Sequence, residues 1–229
     1  MTRKSGTLGL IAGLGVGAGI FYYRSLVSAH LAEGLSPHII MVHADVREVM
    51  GLAQARQKQR LAQYLAGLLR QLADAGAEVA TIPAFAPQIC AAELTELTPL
   101  PLVSLLDAVV AETKRRRLQR VAIVGAQVTM ETELFGRLQG VADIVSLPSA
   151  QMERIGAIYA GIAQNESASP EEVATLMSAA RGLIERGADA ILLAGTDLSF
   201  VLLPQAIDFP HLDCARIHIA QIMRELAGQ

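Results

Sequence analysis

The stretch Gly187-Ala188-Asp189-Ala190-Ile191-Leu192-Leu193-Ala194-Gly195-Thr196-Asp197 repeats a plan met 111 residues earlier, at Gly76-Ala77-Glu78-Val79-Ala80-Thr81-Ile82-Pro83-Ala84-Phe85-Ala86. Each copy reads as a helix stopped by a glycine, then a strand too apolar to face water on either side. Each strand ends in small residues, which let another molecule approach the backbone closely. A second echo supports the first. Val121-Ala122-Ile123-Val124-Gly125-Ala126 follows Leu8-Gly9-Leu10-Ile11-Ala12-Gly13 at an offset of 113 residues. Two echoes in the same order, at nearly equal offsets, describe a duplicated chain.

Working outward, residues 7–12 predict a first strand, and Gly13 to Gly19 a glycine turn into a helix starting near Ile20. A second strand spans residues 38–44, with Asp45 just beyond it. Leu61, Leu65, Leu68, Leu69 and Leu72 recur at helical spacing within residues 54–75. After the repeated strand at 79–83 come a helical segment at 86–97, a brief strand at 102–105 and a helix at 107–117. The second half reads as strand 121–126, strand 144–147, helix 151–162, a linker at 164–169, helix 170–186 and the repeated strand. A last helix, residues 213–226, is expected to pack on the first half. Strands alternating with helices imply parallel sheets with right-handed crossovers. The expected fold is therefore α/β, with two pseudo-symmetric lobes, each a mostly parallel sheet flanked by helices, and a cleft between them. The lobes divide as residues 1–104 with 209–229, and residues 105–208.

Composition narrows the function. The net charge is −3 and aromatic residues make up 4% of the 229, with no Trp. That balance gives neither an electrostatic grip on nucleic acid nor stacking platforms for single strands. The apolar run after Met1-Thr2-Arg3-Lys4 has the outline of a signal peptide, but five glycines from Gly9 to Gly19 favour a buried strand and turn. No run is long enough to span a membrane. The two cysteines, Cys90 and Cys214, form no metal-ligand spacing and no disulfide framework, so cytoplasm is the expected compartment.

Ligands of parallel sheets bind at the carboxyl ends of strands. The candidate binding residues are therefore Leu14 in the glycine turn, Asp45, Ala84, Phe85, Ala86, Thr129, Gly195, Thr196 and Asp197. Thr129 and Thr196 read equally as ligand contacts or helix N-caps, and for Asp197 capping is the favoured reading. Asp45 and Arg47 read as loop residues in reach of a ligand or as a solvated pair. His218 inside the last helix reads first as a satisfied structural histidine. Lys114-Arg115-Arg116-Arg117 reads as a solvated helix end. Cys90 and Cys214 read as buried packing residues.

These motifs, in this order, resemble the aspartate/glutamate racemase family over nearly the full chain. Gly13-Leu14-Gly15 is similar to the family's opening Gly-Met-Gly-Pro, with Val16 in place of the proline, and Thr129-Met130-Glu131 to its Thr-Met-Glu. Leu147-Pro148, Gln151 and Ile158-Tyr159 resemble a further stretch. Gly187 to Leu198 resembles Gly-Ala-Asp…Gly-Cys-Thr-Glu-Leu, and Leu212 to His218 resembles its closing segment. The resemblance implies chemistry without a cofactor, on a small carboxylate or amino acid, in a homodimer. It also implies two cysteines, one on each face of the substrate's α-carbon, since a tuned thiolate serves as base and its thiol as acid. The family's Pro-Cys-Asn-Thr reads here Pro83-Ala84-Phe85-Ala86, and its Gly-Cys-Thr-Glu reads Ala194-Gly195-Thr196-Asp197. The two-thiol mechanism therefore has no thiols at these positions, and no catalytic residue is assigned in their place. Phe85 stands where the family has a polar contact, which points to a ligand other than aspartate.

Two functions remain open: altered α-carbon chemistry on a carboxylate, or a carboxylate-binding or partner protein without catalysis. A third reading takes Gly13-Leu14-Gly15-Val16-Gly17-Ala18 as a dinucleotide fingerprint. The acid expected about 20 residues further on is missing there.

Overall fold

A computed structural model describes residues 3–4, 6–202 and 207–227 of the chain; Met1 and Thr2 of the basic start lie outside them. The chain divides into two units, residues 1–105 with 218–229, and residues 106–217.

In unit 1 the elements are β1 (Arg3–Lys4), β2 (Leu8–Ala12), α1 (Val16–Ala32), β3 (Leu35–Ser36), β4 (Ile39–His43), α2 (Val46–Gln54), α3 (Lys58–Asp74) and β5 (Val79–Thr81). A 3-10 turn over Ala86–Cys90 and α4 (Ala91–Thr95) follow. The main sheet runs β4-β2-β5, all parallel, and β1 pairs with β3 in a separate ribbon. Central β2 is buried along its whole length, as a strand covered on both faces must be. The leucines of α3 pack with Ile11, Val49, Ala80 and Ile82 into one apolar core.

Unit 2 contains α5 (Leu105–Arg115), β6 (Arg120–Gly125), α6 (Gln127–Glu131), β7 (Asp143–Ile144), α7 (Ser149–Asn165), α8 (Pro170–Glu185), β8 (Ala190–Ala194), α9 (Leu198–Val201) and β9 (His211–Asp213). Its sheet runs β7-β6-β8-β9, again all parallel. The last helix, α10 (Cys214–Ala227), carries the chain back into unit 1 from His218 onward.

The duplication is written in the register. Leu8 sits opposite Val79 in unit 1, and Val121 opposite Ala190 in unit 2. From Leu8 to Val121 is 113 residues and from Val79 to Ala190 is 111, the two offsets of the sequence echoes. The glycines that close the preceding helices, Gly76 and Gly187, both have positive φ, 95° and 93°, the conformation a helix stop reserves for glycine.

Several boundaries differ from expectation. Helix α1 starts at Val16 instead of near Ile20, because Gly15 (φ 122°) completes the turn by itself. Glycines 17 and 19 then lie inside the helix; a Cβ on Gly19 would stand 3.3 Å from the Ala12 Cβ, so the missing side chain lets α1 press onto β2. Residues 46–54, to which the sequence assigns no element beyond the Asp45–Arg47 loop, form α2, and Asp45 caps it by accepting the Arg47 N–H at 2.9 Å. The strand expected at 102–105 is a single bridge from Leu102 to Ala80, since Pro101 has no N–H to extend it backward and α5 begins at Leu105. Strand β7 stops at Ile144, shortly before Pro148. The linker expected at 164–169 is found at residues 166–169, between the last residue of α7, Asn165, and the first of α8, Pro170. Ser169 and Glu172 form a reciprocal capping box there, with Pro170 in the first turn.

Candidate functional site

In unit 2, strands β6 and β8 run side by side and end together, bringing Ala126 and the residues of α6 beside Gly195-Thr196-Asp197. The approach is very close: a Cβ on Gly125 would fall 2.1 Å from the Ala194 carbonyl oxygen. Gly195 is equally constrained. A Cβ there would lie 2.2 Å from Cε2 of Tyr159, so the tyrosine ring fills the space a side chain at 195 needs.

Tyr159 projects from α7 and its hydroxyl donates to Asp197 Oδ2 at 3.0 Å. Asp197 is buried and Tyr159 half-buried. Burial pushes the phenol well above its usual range, and the charge and hydrogen bond of Asp197 push the same way, against opposing hydrogen bonds from Thr196. Asp197 precedes α9 but its side chain makes no capping bond, so the capping expected of it gives way to the bond with Tyr159. Thr129 is not a cap either. It lies inside α6, which Ala126 precedes, and its Oγ1 is buried with no hydrogen-bond partner among the described residues. A buried hydroxyl without a partner costs about 1–3 kcal/mol, a cost that a ligand oxygen or nitrogen would remove. Thr196 is also buried. Next to this cluster, Ser199 Oγ donates to Asp213 Oδ1 at 2.7 Å and Asp213 pairs with Arg216, which fixes α9 against β9.

In unit 1, Leu14, Asp45 and Ala84-Phe85-Ala86 follow the ends of β2, β4 and β5, three neighbouring parallel strands. Gly13 (φ 86°) makes the turn after β2, where a Cβ would come within 2.5 Å of the Ala44 carbonyl oxygen. Packing accounts for this glycine without a dinucleotide. Leu14 is partly buried against the core. Asp45 is exposed, its carboxyl held below the usual range by hydrogen bonds from Arg47, and its own N–H donates to Tyr64 Oη at 2.8 Å. Ala84 is buried and its carbonyl accepts from Gln88 Nε2 at 3.0 Å. Phe85 ranks among the largest fully buried side chains.

The residues weighed for other roles resolve into structural ones. His218 is buried in unit 1: Nε2 donates to the Val103 carbonyl at 2.9 Å, and Nδ1 accepts from the Tyr22 hydroxyl at 3.0 Å. The Val103 carbonyl can only accept, so the proton sits on Nε2 and the ring is neutral. Thr81 Oγ1 completes the network at 2.9 Å from Nε2. Burial lowers this histidine to about 4. Cys90 is buried and pushed up to about 12 by burial first and by Glu93 second; Cys214 is buried and raised well above its usual value. Neither is a ready thiolate. Arg115 and Arg116 both pair with Glu112 on the same exposed helix end. Among the described residues no group of three or more His, Cys, Asp or Glu could hold a metal ion, and no helix is long and apolar enough to cross a membrane. A separate groove between α7 and α8 is lined by Leu147, Gln151, Arg154, Thr175 and Arg186 and shares no residue with the strand ends.

Two parallel sheets related by duplication, with small residues at the strand ends, define a pseudo-symmetric α/β protein of the racemase type. The chain belongs to the Asp/Glu/Hydantoin racemase family, whose model matches residues 11–222. No protein of curated function matches the chain. Its fold is shared with a Yersinia pestis protein provisionally described as an Asp/Glu racemase. That structure has 24% identity, covers 98% of this chain and 100% of its own, and gives a TM-score of 0.82. An aspartate racemase homologue from Pyrococcus horikoshii OT3 has 18% identity, 96% and 99% coverage, and a TM-score of 0.78. Glutamate racemase from Francisella tularensis, solved with D-glutamate, has 13% identity, 98% and 82% coverage, and a TM-score of 0.69.

Tyr159 was not among the binding residues expected from sequence. Its one signal was membership of the Ile158-Tyr159 family stretch. That it meets Gly195 depends on how α7 packs against the end of β8, 36 residues later.

Proposed function

We propose that this protein binds a small carboxylate or amino acid at its strand-end residues, and that any chemistry at the ligand's α-carbon proceeds without a pair of thiols and without a cofactor. The observation that carries this reading is the environment of residue 195. The family resemblance puts a thiol at this position, yet here it is Gly195 and Tyr159 already occupies the room. Its counterpart Ala84 has no proton to move, and both cysteines of the chain are sealed in the interior. The partnerless Thr129 hydroxyl and the buried Thr196 supply hydrogen-bonding groups for a carboxylate or an amine.

The test combines binding and exchange. Thermal stabilisation by a panel of aspartate, glutamate, malonate and succinate is expected, and it must survive treatment of the folded protein with a maleimide. Proton NMR in heavy water then reports whether the α-proton of a stabilising ligand exchanges. Stabilisation without exchange favours the second reading, a carboxylate-binding protein without catalysis, which rests on the joint replacement at positions 84, 85 and 195. Indifference to every carboxylate would sink both.

A homodimer belongs to the same proposal. It is supported by Val16, Ile20, Tyr23 and Leu31, which lie at helical spacing along α1 and stay 43–64% exposed. Light scattering on the purified protein tests it. Residence in the cytoplasm is proposed from the two unpaired cysteines.

A further inference from the structure

We infer that the groove between α7 and α8 of unit 2 is a second binding site, for a small phosphate monoester whose organic part carries hydroxyl groups. The groove has a volume of about 820 Å³, the size of a small-molecule site and well beyond what one inorganic ion fills. It shares no residue with the strand ends, so its occupant is independent of theirs. Its floor is apolar where Leu147 and Ile155 are buried. Gly182 leaves one wall bare, since a Cβ there would meet nothing within 4 Å.

Three guanidiniums line it: Arg154 on α7, Arg181 within α8 and Arg186 just past its end. Each keeps N–H donors in hand. Arg154 Nη2 reaches the Thr175 hydroxyl only at 3.5 Å, a length at which little of a hydrogen bond remains. Arg181 gives its Nε–H to both oxygens of Asp208 at 3.1 Å, which leaves its two terminal nitrogens without a partner among the described residues. Arg186 is anchored by Nη2, which donates to the Ser146 carbonyl at 2.7 Å. The carboxylates set against these three are Asp208 and Glu185. One positive charge is therefore in surplus, in a chain whose net charge is −3.

The arrangement selects a phosphate ester over a carboxylate or a nucleotide. Thr175, the neighbour of Arg154, stands six residues before Arg181, about 9 Å along the helix axis. Two guanidiniums thus approach the same stretch of groove from facing helices. One fork satisfies a planar carboxylate, whereas a tetrahedral phosphate has oxygens for two. Gln151 and Ser178 line the same groove and supply neutral donors and acceptors for hydroxyl groups. No aromatic ring lines it among the described residues, so a nucleobase would find no stacking platform.

Isothermal titration calorimetry with glucose 6-phosphate in low-salt buffer tests the site. Saturable binding to one site per chain is expected, tighter than for inorganic phosphate and absent for glucose. Arg154→Gln is expected to weaken it about tenfold or more, the usual loss for a hydrogen bond to a charged group. Gly182→Leu fills the groove with a better helix former whose side chain starts in open space. That variant should unfold at no lower a temperature than the parent and lose binding. Arg115→Gln removes an exposed arginine from α5 and should bind as the parent does, which separates the groove from a general attraction to cations. If glucose 6-phosphate gives no saturable heat, or binds Arg154→Gln and Gly182→Leu as it binds the parent, the site is overturned. If inorganic phosphate binds as tightly as the ester, or adenosine monophosphate binds more tightly than glucose 6-phosphate, the class of ligand is overturned.

Discussion

His218 gives unit 1 a pH dependence whose size can be worked from its surroundings. The ring is fully buried among Tyr22, Thr81 and the Val103 carbonyl, and its hydrogen-bond partners among the described residues include no carboxylate to hold a second proton. Burial lowers it from 6.5 to about 4. The folded state therefore prefers the neutral ring. Below pH 6.5 the unfolded chain takes up a proton that the folded protein refuses, so stability is intact above that pH and falls as pH drops toward 4. Each unit of lowered pKa corresponds to about 1.4 kcal/mol, so the whole interval costs about 3 kcal/mol. That is a large part of the ~5–15 kcal/mol typical of a domain.

The assay is urea denaturation at pH 7, 6, 5 and 4, comparing the parent chain with His218→Gln. The variant will be less stable at pH 7, because Tyr22 and Thr81 lose a partner. The informative quantity is the slope with pH, which should flatten in the variant by about 3 kcal/mol between pH 7 and 4. The remaining four histidines are common to both proteins and cancel. Glu112, held down to about 2 by Arg115 and Arg116, works in a separate window: its contribution is present above its free value of 4.5 and lost as pH falls from there through about 2. Parallel stability curves for parent and variant from pH 7 to 4 would refute the reasoning.

Other consequences are simpler. Gly125→Ala places a Cβ 2.1 Å from the Ala194 carbonyl oxygen, so strands β6 and β8 must separate at their ends; a loss of about 2–3 kcal/mol in thermal or urea stability is expected. A maleimide at pH 8 should label neither Cys90 nor Cys214 in the folded protein and both in urea, read by mass spectrometry, because both thiols are buried and raised. Ser169→Ala removes half of the capping box of α8 and should cost about 1 kcal/mol by urea denaturation, with no change in ligand binding.

The parts of the fold legible in the sequence are those fixed by burial on both faces. Strands β2, β6 and β8 are continuous apolar runs, and helix α3 announces itself by leucines at helical spacing that all prove buried. Gly76 and Gly187 mark helix ends because few other residues accept their backbone conformation. The start of α1 was hidden because glycine disfavours helices locally, while close packing on Ala12 rewards it there. Helix α2 was hidden behind Asp45, whose capping role and loop role look alike before the following N–H groups are placed. In the candidate site, Gly195, Thr196 and Asp197 could be read from the repeat. Tyr159 could not, since nothing local in α7 says that its ring lies over a glycine after β8.

The two halves also show which features a duplication holds constant and which it frees. Strand order in unit 1, β4-β2-β5, is repeated in unit 2 as β7-β6-β8, with the same register at the centre. A one-residue slip there would turn every side chain of a strand to the opposite face, so register resists change. The strand tips carry no such constraint. At the same 111-residue offset, Ala84-Phe85-Ala86 stands in one half where Gly195-Thr196-Asp197 stands in the other. Polar groups have correspondingly moved. Unit 1 keeps its hydroxyls and imidazole beneath β5, where Thr81 and His218 satisfy one another. Unit 2 keeps its polar groups past the end of β8, where Tyr159 bonds Asp197 and the Thr129 hydroxyl has no partner among the described residues. Polar side chains at the strand tips have therefore become the property of one half, on a framework that both halves still share.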